Sequence, residues 1–233
     1  MQYREREGAE TEPVASRIGN ARRRVRLAGE AALVYLGAPL AIHYAVVNWQ
    51  MRVFALLALA LPFLLLALWL DGRFDRRILR LEGTAGRLRA VGATFLVLAP
   101  LIALGTWLVL PHAFLSLPRT RPELWAMIVC FYPFVSALPQ ELLYRVLFFQ
   151  RFRPLFGPHP AVAIGANASL FAFAHVIFGS WVSVAGAFGL GLLLAWRFER
   201  GRAFWPIWLE HALYGNLAFT VGLGRYFYLS AGG

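Results

Sequence analysis

The sequence predicts an all-α protein, a polytopic transmembrane helix bundle of about seven to eight spans. Three observations carry that expectation. Hydrophobic residues make up 59% of the chain and charged residues only 15%, against about 25% charged in an ordinary soluble domain. Mean hydropathy is +0.58. Apolar runs follow one another at the length of about 17–20 residues that a helix needs to cross hydrocarbon.

The chain opens on a polar segment, residues 1–29, with seven arginines, among them Arg22, Arg23, Arg24 and Arg26. The apolar run behind it is long and lacks a small-residue cleavage pattern, so it does not read as a secretory signal. It reads as a partly disordered cytoplasmic tail whose basic patch meets anionic lipid. Apolar runs then extend over about 30–47, 53–70, 91–110, 124–138, 161–178, 182–196 and 204–223. Between the fourth and fifth, residues 140–153 are amphipathic: either an extension of the fourth span past Pro139 or a separate interfacial or re-entrant helix. A long continuous or kinked helix is expected there. No internal repeat is present, which argues against an inverted-repeat transporter. The chain thus divides into a basic tail (1–29), amino-terminal helices (30–122) and a helical core (123–233).

The formal charge of +11 is carried by arginine alone, since the sequence holds no lysine. In a membrane protein such a balance points to loops that obey the positive-inside rule. No compact basic domain is present to bind nucleic acid. The loop 71–90 carries Arg73, Arg76, Arg77, Arg80, Arg87 and Arg89, whereas the first short loop has only Arg52. Alternate counting then puts the amino terminus in the cytoplasm and the aromatic cluster Tyr226-Phe227-Tyr228 at the far interface. The expected location is the bacterial-type cytoplasmic membrane, crossed several times. Cys130 is the single cysteine, which excludes intrachain disulfides and Cys-ligated metal sites.

Polar groups inside apolar runs carry the functional signal, because each must find a partner within the protein. Glu141 and Arg145 stand four residues apart, on one helix face. They serve as a structural ion pair or as part of a site. Asn167, Phe171 and His175 form one stripe on the fifth span. Glu210 and His211 are neighbours about 100° apart on a helix, so only one of them projects fully into a common site. His43 stands alone and reads as a satisfied structural histidine. Gly215, one turn beyond His211, permits close helix approach or backbone access to a bound peptide. One carboxylate with two histidines could hold zinc as His2Glu with an open position. It could equally work without metal, Glu141 acting as general base on water and histidine or asparagine stabilising the oxyanion, with Arg145 setting the rotamer and charge of Glu141. No His-Glu-x-x-His, Gly-x-Ser-x-Gly, Walker A or dinucleotide fingerprint is present.

Glu141 with Arg145, Phe171 with His175, and His211 with Asn216, in that order and each within an apolar run, resemble the CPBP family of intramembrane proteases. That family comprises type II CAAX prenyl endopeptidases and bacteriocin-processing or immunity (Abi) proteins. The resemblance covers roughly residues 124–222. It implies a membrane endopeptidase that cuts a membrane-associated peptide or protein within or near the bilayer. In the family a glutamate of the first motif activates water, and the two histidines and the asparagine complete the site. Phe171, Tyr144 and Gly215 are then candidates to contact substrate. The resemblance allows either a glutamic or a metal-dependent mechanism, so zinc is a possible cofactor with Glu141, His175 and His211 as ligands. The sequence departs from the pattern twice. Gln140 stands where the family has its first, catalytic glutamate, and the amide expected at 215 is found at Asn216. Gln140 favours a second reading, a non-catalytic binding or immunity protein that keeps the polar cluster as structure.

Overall fold

In the computed structural model, residues 14–72 and 74–227 are described, with side chains from residue 19 onward. Expectations that fall on residues 1–13, the side chain of Arg17, Arg73 and Tyr228 lie outside the described residues. Within them every regular element is helical.

The first helix, α1, spans 14–49 as Val14–Ala32, a π-helical turn Leu33–Gly37, and Ala38–Trp49. The basic stretch is therefore helical from Val14 and runs straight into the first apolar run. Then follow α2 (Val53–Leu70), α3 (Ala85–Val109), α4 (Pro122–Phe156), α5 (Pro160–Ala174), α6 (Trp181–Gly201) and α7 (Phe204–Val221). Local chemistry marks the boundaries. Pro122 and Pro160 occupy the first turns of α4 and α5, where a missing N–H costs nothing. Ser180 caps α6 by accepting from the Val182 N–H, satisfying one orphan donor. Gly222, at φ 102°, ends α7 in a left-handed conformation that a side chain would strain.

Among the described residues, six helices are long and apolar enough to cross a membrane, the whole of α4 at 35 residues being one of them. The amphipathic segment 140–153 is thus the continuation of α4 rather than a separate helix. At 1.5 Å per residue α4 reaches roughly 50 Å, well beyond a hydrocarbon core of about 30 Å. It is long enough to cross the bilayer and still carry residues 140–153 into the bundle. Its backbone widens into π-helical turns at Pro133–Ala137 and again over Leu142–Phe152. Widened turns leave carbonyls open to further donors, and neighbouring helices supply them. Tyr35 of α1 donates its hydroxyl to the Leu143 carbonyl at 2.8 Å, and Asn167 of α5 donates to the Tyr144 carbonyl.

The core lies around this stretch of α4. Tyr35 is fully buried against the rings of Tyr144, Phe148 and Phe152, with centroids 5.3–5.7 Å away. Packing of α6 on α5 depends on Gly191, where a Cβ would meet the Ala168 Cα at 3.1 Å. Of the three α6 glycines at 186, 189 and 191, this is the one in close helix contact. At one end of the bundle an ionic cluster ties helices together. Arg151 of α4 binds Glu30 of α1 at 2.6 Å, and Glu199 of α6 receives both Arg153 at 3.1 Å and Arg202 at 2.5 Å.

Candidate active site

The site forms where α7 crosses α4, and a proline seats that crossing. Pro133 has no N–H, so the Val129 carbonyl one turn earlier loses its helical partner. Asn216 of α7 fills the vacancy, its Nδ2 donating to Val129 O at 3.1 Å. Trp208, about two turns earlier on α7, donates its indole N–H to Pro133 O at 2.7 Å. Two side chains of α7 thus grip the backbone of α4 around its first widened turn, and His211 lies between them.

His211 meets Glu141 directly. Its Nδ1 is 2.7 Å from Glu141 Oε1. The other carboxylate oxygen lies 3.4 Å from Arg145 Nε, and both side chains of this ion pair are fully buried. A carboxylate can only accept, so in the neutral ring Nδ1 carries the proton and Nε2 keeps its lone pair. Nε2 in turn lies 3.1 Å from the Tyr132 hydroxyl. The result is a chain Arg145–Glu141–His211–Tyr132 running from the protein interior outward. Arg145 has no hydrogen-bond partner among the described residues. Its guanidinium lies 4.5 Å from the centroid of the Phe171 ring, a cation–π contact of the kind that gains strength when desolvated.

Phe171 connects the second histidine to this chain. Its ring stands perpendicular to His211 at 5.6 Å and tilted to His175 at 4.7 Å. His175 Nδ1 lies 2.8 Å from the Phe171 carbonyl, which fixes the proton on Nδ1 and leaves Nε2 as the acceptor. His175, His211, Phe171, Tyr132, Tyr144 and Gly215 all border one apolar cavity of about 1710 Å³. Gln140 borders it too, held by its amide N–H on Ser136 Oγ at 2.8 Å.

The positions of the remaining candidates sort them. Glu141 does not border the cavity: His211 stands between the carboxylate and the open space. Asn216 does not border it either, being turned to the α4 backbone. Glu210 points away from His211 and binds Arg197 of α6 at 2.6 Å, so it is not a substitute for the carboxylate missing at 140. His43 is exposed and borders no part of the cavity, which replaces the expectation of a buried structural histidine. Tyr132 was not among the sequence candidates. A phenol in an aromatic-rich run gives no spacing signal, and its partner is 79 residues away.

A His2Glu metal set does not fit this arrangement. Among the described residues no three His, Cys, Asp or Glu side chains are grouped to hold an ion. One Glu141 oxygen is taken by His211, and the other faces the Arg145 cation.

The geometry defines a class: a buried carboxylate–imidazole pair at the wall of an apolar cavity, inside a bundle with membrane-length helices. Residues 121–217 match the family model of the type II CAAX prenyl endopeptidase Rce1-like proteins. That segment holds Glu141, Phe171, His175 and His211, so the part of the chain that carries the site is similar to these CAAX endopeptidases. No curated protein and no solved structure matches the chain. The family and the six apolar helices together make this a multi-pass integral membrane protein.

Proposed function

We propose that the protein is an intramembrane endopeptidase that hydrolyses a peptide bond of a membrane-associated peptide or protein, with Glu141 and His211 as its base. The observation that carries this reading is the 2.7 Å contact between Glu141 Oε1 and His211 Nδ1. The carboxylate holds the imidazole in the tautomer with Nε2 free and stabilises the imidazolium that forms, the division of labour that an acid gives a histidine base. Glu141 therefore acts through His211 rather than on water itself. Arg145, 3.4 Å from the second carboxylate oxygen, orients it. His175, its Nδ1 committed to the Phe171 carbonyl, offers Nε2 to a peptide N–H. Gln140 offers its side-chain oxygen from the same wall. The substrate enters from the lipid phase, and the distribution of arginines supports an amino terminus on the cytoplasmic side of a bacterial-type membrane.

A second reading rests on Gln140. An amide borders the cavity where the resemblance expects a carboxylate, and Glu141 is sealed behind His211. A protein with that wall could bind a peptide without cutting it. Purified protein in vesicles, given labelled membrane peptides, separates the two. Under the endopeptidase reading wild type cleaves, and Glu141→Gln lowers the rate about 10²–10⁴-fold. Binding without cleavage by wild type, with cleavage gained by Gln140→Glu, establishes the binding protein instead.

A further inference from the structure

We propose that Tyr132 is a catalytic residue of this site, the hydroxyl donor that stabilises the oxyanion of the tetrahedral intermediate. The proposal rests on the endopeptidase reading and adds a residue that lies outside the three motifs. Three observations on α4 and α7 support it independently of one another.

First, the Tyr132 hydroxyl lies 3.1 Å from His211 Nε2, the ring atom left free by Glu141, and Tyr132 borders the cavity. Second, Gly215 opens the space that the ring occupies. A Cβ at 215 would overlap Cε1, Cζ and the hydroxyl of Tyr132, so the phenol fills the volume that any side chain one turn beyond His211 would take. It brings a hydroxyl donor to the position where the resemblance expects an amide. Third, the ring also packs on Phe219, one turn beyond Gly215, edge-on with centroids 5.6 Å apart. A ring held against a glycine backbone and an aromatic edge, with the Ser136 side chain as a further hydrogen-bond partner of its phenol, keeps its hydroxyl directed. Preorganised donors of this kind contribute most in a site that excludes water.

The step balances as a simple hydrolysis. At rest the Tyr132 O–H donates to the Nε2 lone pair. As water attacks the scissile carbonyl carbon, the Tyr132 hydroxyl turns from Nε2 to the carbonyl oxygen and frees the ring lone pair. A C–O bond forms, one water proton passes to Nε2, and the carbonyl π electrons move onto their oxygen. Tyr132 donates to that oxyanion without losing its proton. Collapse of the intermediate breaks the C–N bond, and the Nε2 proton goes to the departing amine. Tyr132 then returns to Nε2.

Tyr132→Phe removes the hydroxyl oxygen and keeps the ring that packs on Gly215 and Phe219. Thermal unfolding in detergent checks that this variant folds as wild type does. The expected result is a loss in kcat of about 10²–10³-fold with KM little changed. A kcat within about twofold of wild type overturns the proposal. A peptidyl phosphinate, which presents a tetrahedral anion, supplies a second readout that needs no turnover. It should lose affinity for Tyr132→Phe by a similar factor, while the matching uncleaved peptide binds both proteins equally. Equal phosphinate affinity for both proteins also overturns the proposal. If wild type cleaves and Tyr132→Phe matches it, the role of Tyr132 alone falls. If wild type neither cleaves nor prefers the phosphinate to the peptide, the endopeptidase reading falls and Tyr132 with it.

Discussion

The amino-terminal helices and the α4–α7 core solve the problem of living in lipid in opposite ways. In α2 every side chain is apolar, and one face looks outward, with Leu59, Phe63, Leu66 and Trp69 all more than half exposed within the bundle. Lipid covers such a face as well as protein would, so that face is constrained by hydropathy alone. In the core, Glu141, Arg145, Asn167, Glu210 and His211 are all buried. Each depends on a named partner from another helix or another turn. The outward face of α2 tolerates exchange, and the core does not.

That contrast can be tested from its strongest consequence to its weakest. His211→Ala removes the proposed base and should lower cleavage about 10²–10⁴-fold in the vesicle assay, the same loss expected for Glu141→Gln. Arg145→Ala leaves the Glu141 carboxylate buried beside no cation and should cost about 3–5 kcal/mol in denaturant unfolding. Asn216→Leu strips the Val129 carbonyl of its donor and should cost about 1–3 kcal/mol. Arg26→Ala, at an exposed ion pair with Glu30, should cost no more than about 1 kcal/mol. Phe63→Leu, on the lipid-facing side of α2, should stay within about 0.5 kcal/mol of wild type. A large loss at Phe63 would mean that α2 is packed against a partner rather than lipid.

Much of this was legible in the sequence, for physical reasons that differ from residue to residue. The helices were legible because lipid demands long apolar runs, and the Glu141–Arg145 pair because i and i+4 share a face. The amphipathic pattern of 140–153 left an extension of α4 and a separate helix both open, and the long helix was expected because Glu141 meets the histidines if α4 continues through Pro139. That Glu210 and His211 would part was legible from the 100° between neighbours. The Glu141–His211 contact could only be suspected, since it joins residues 70 apart and depends on how α7 is rotated. Asn216 was read as part of the site, yet its amide goes to a carbonyl that Pro133 orphans. Proline's missing donor on one helix and an amide on another are each visible in the sequence, but their meeting is not. Tyr132 was missed for the same reason: the gap at Gly215 that admits it is a property of two helices in contact.

The polar load of α7 also bears on how the protein is made. Among the long helices described, α7 is the one that is not apolar enough to count as a membrane span by itself. It carries Glu210, His211 and Asn216, each of which would be costly to leave unpartnered in hydrocarbon. Their partners are Arg197 on α6, Glu141 on α4 and the Val129 carbonyl on α4, all of them earlier in the chain. Each of these contacts therefore joins α7 to a helix that precedes it in the chain. A chain made only through α6 would hold the α4 and α5 walls of the cavity without the imidazole of α7. Under the endopeptidase reading, the proposed base is complete only once α7 has packed on α4.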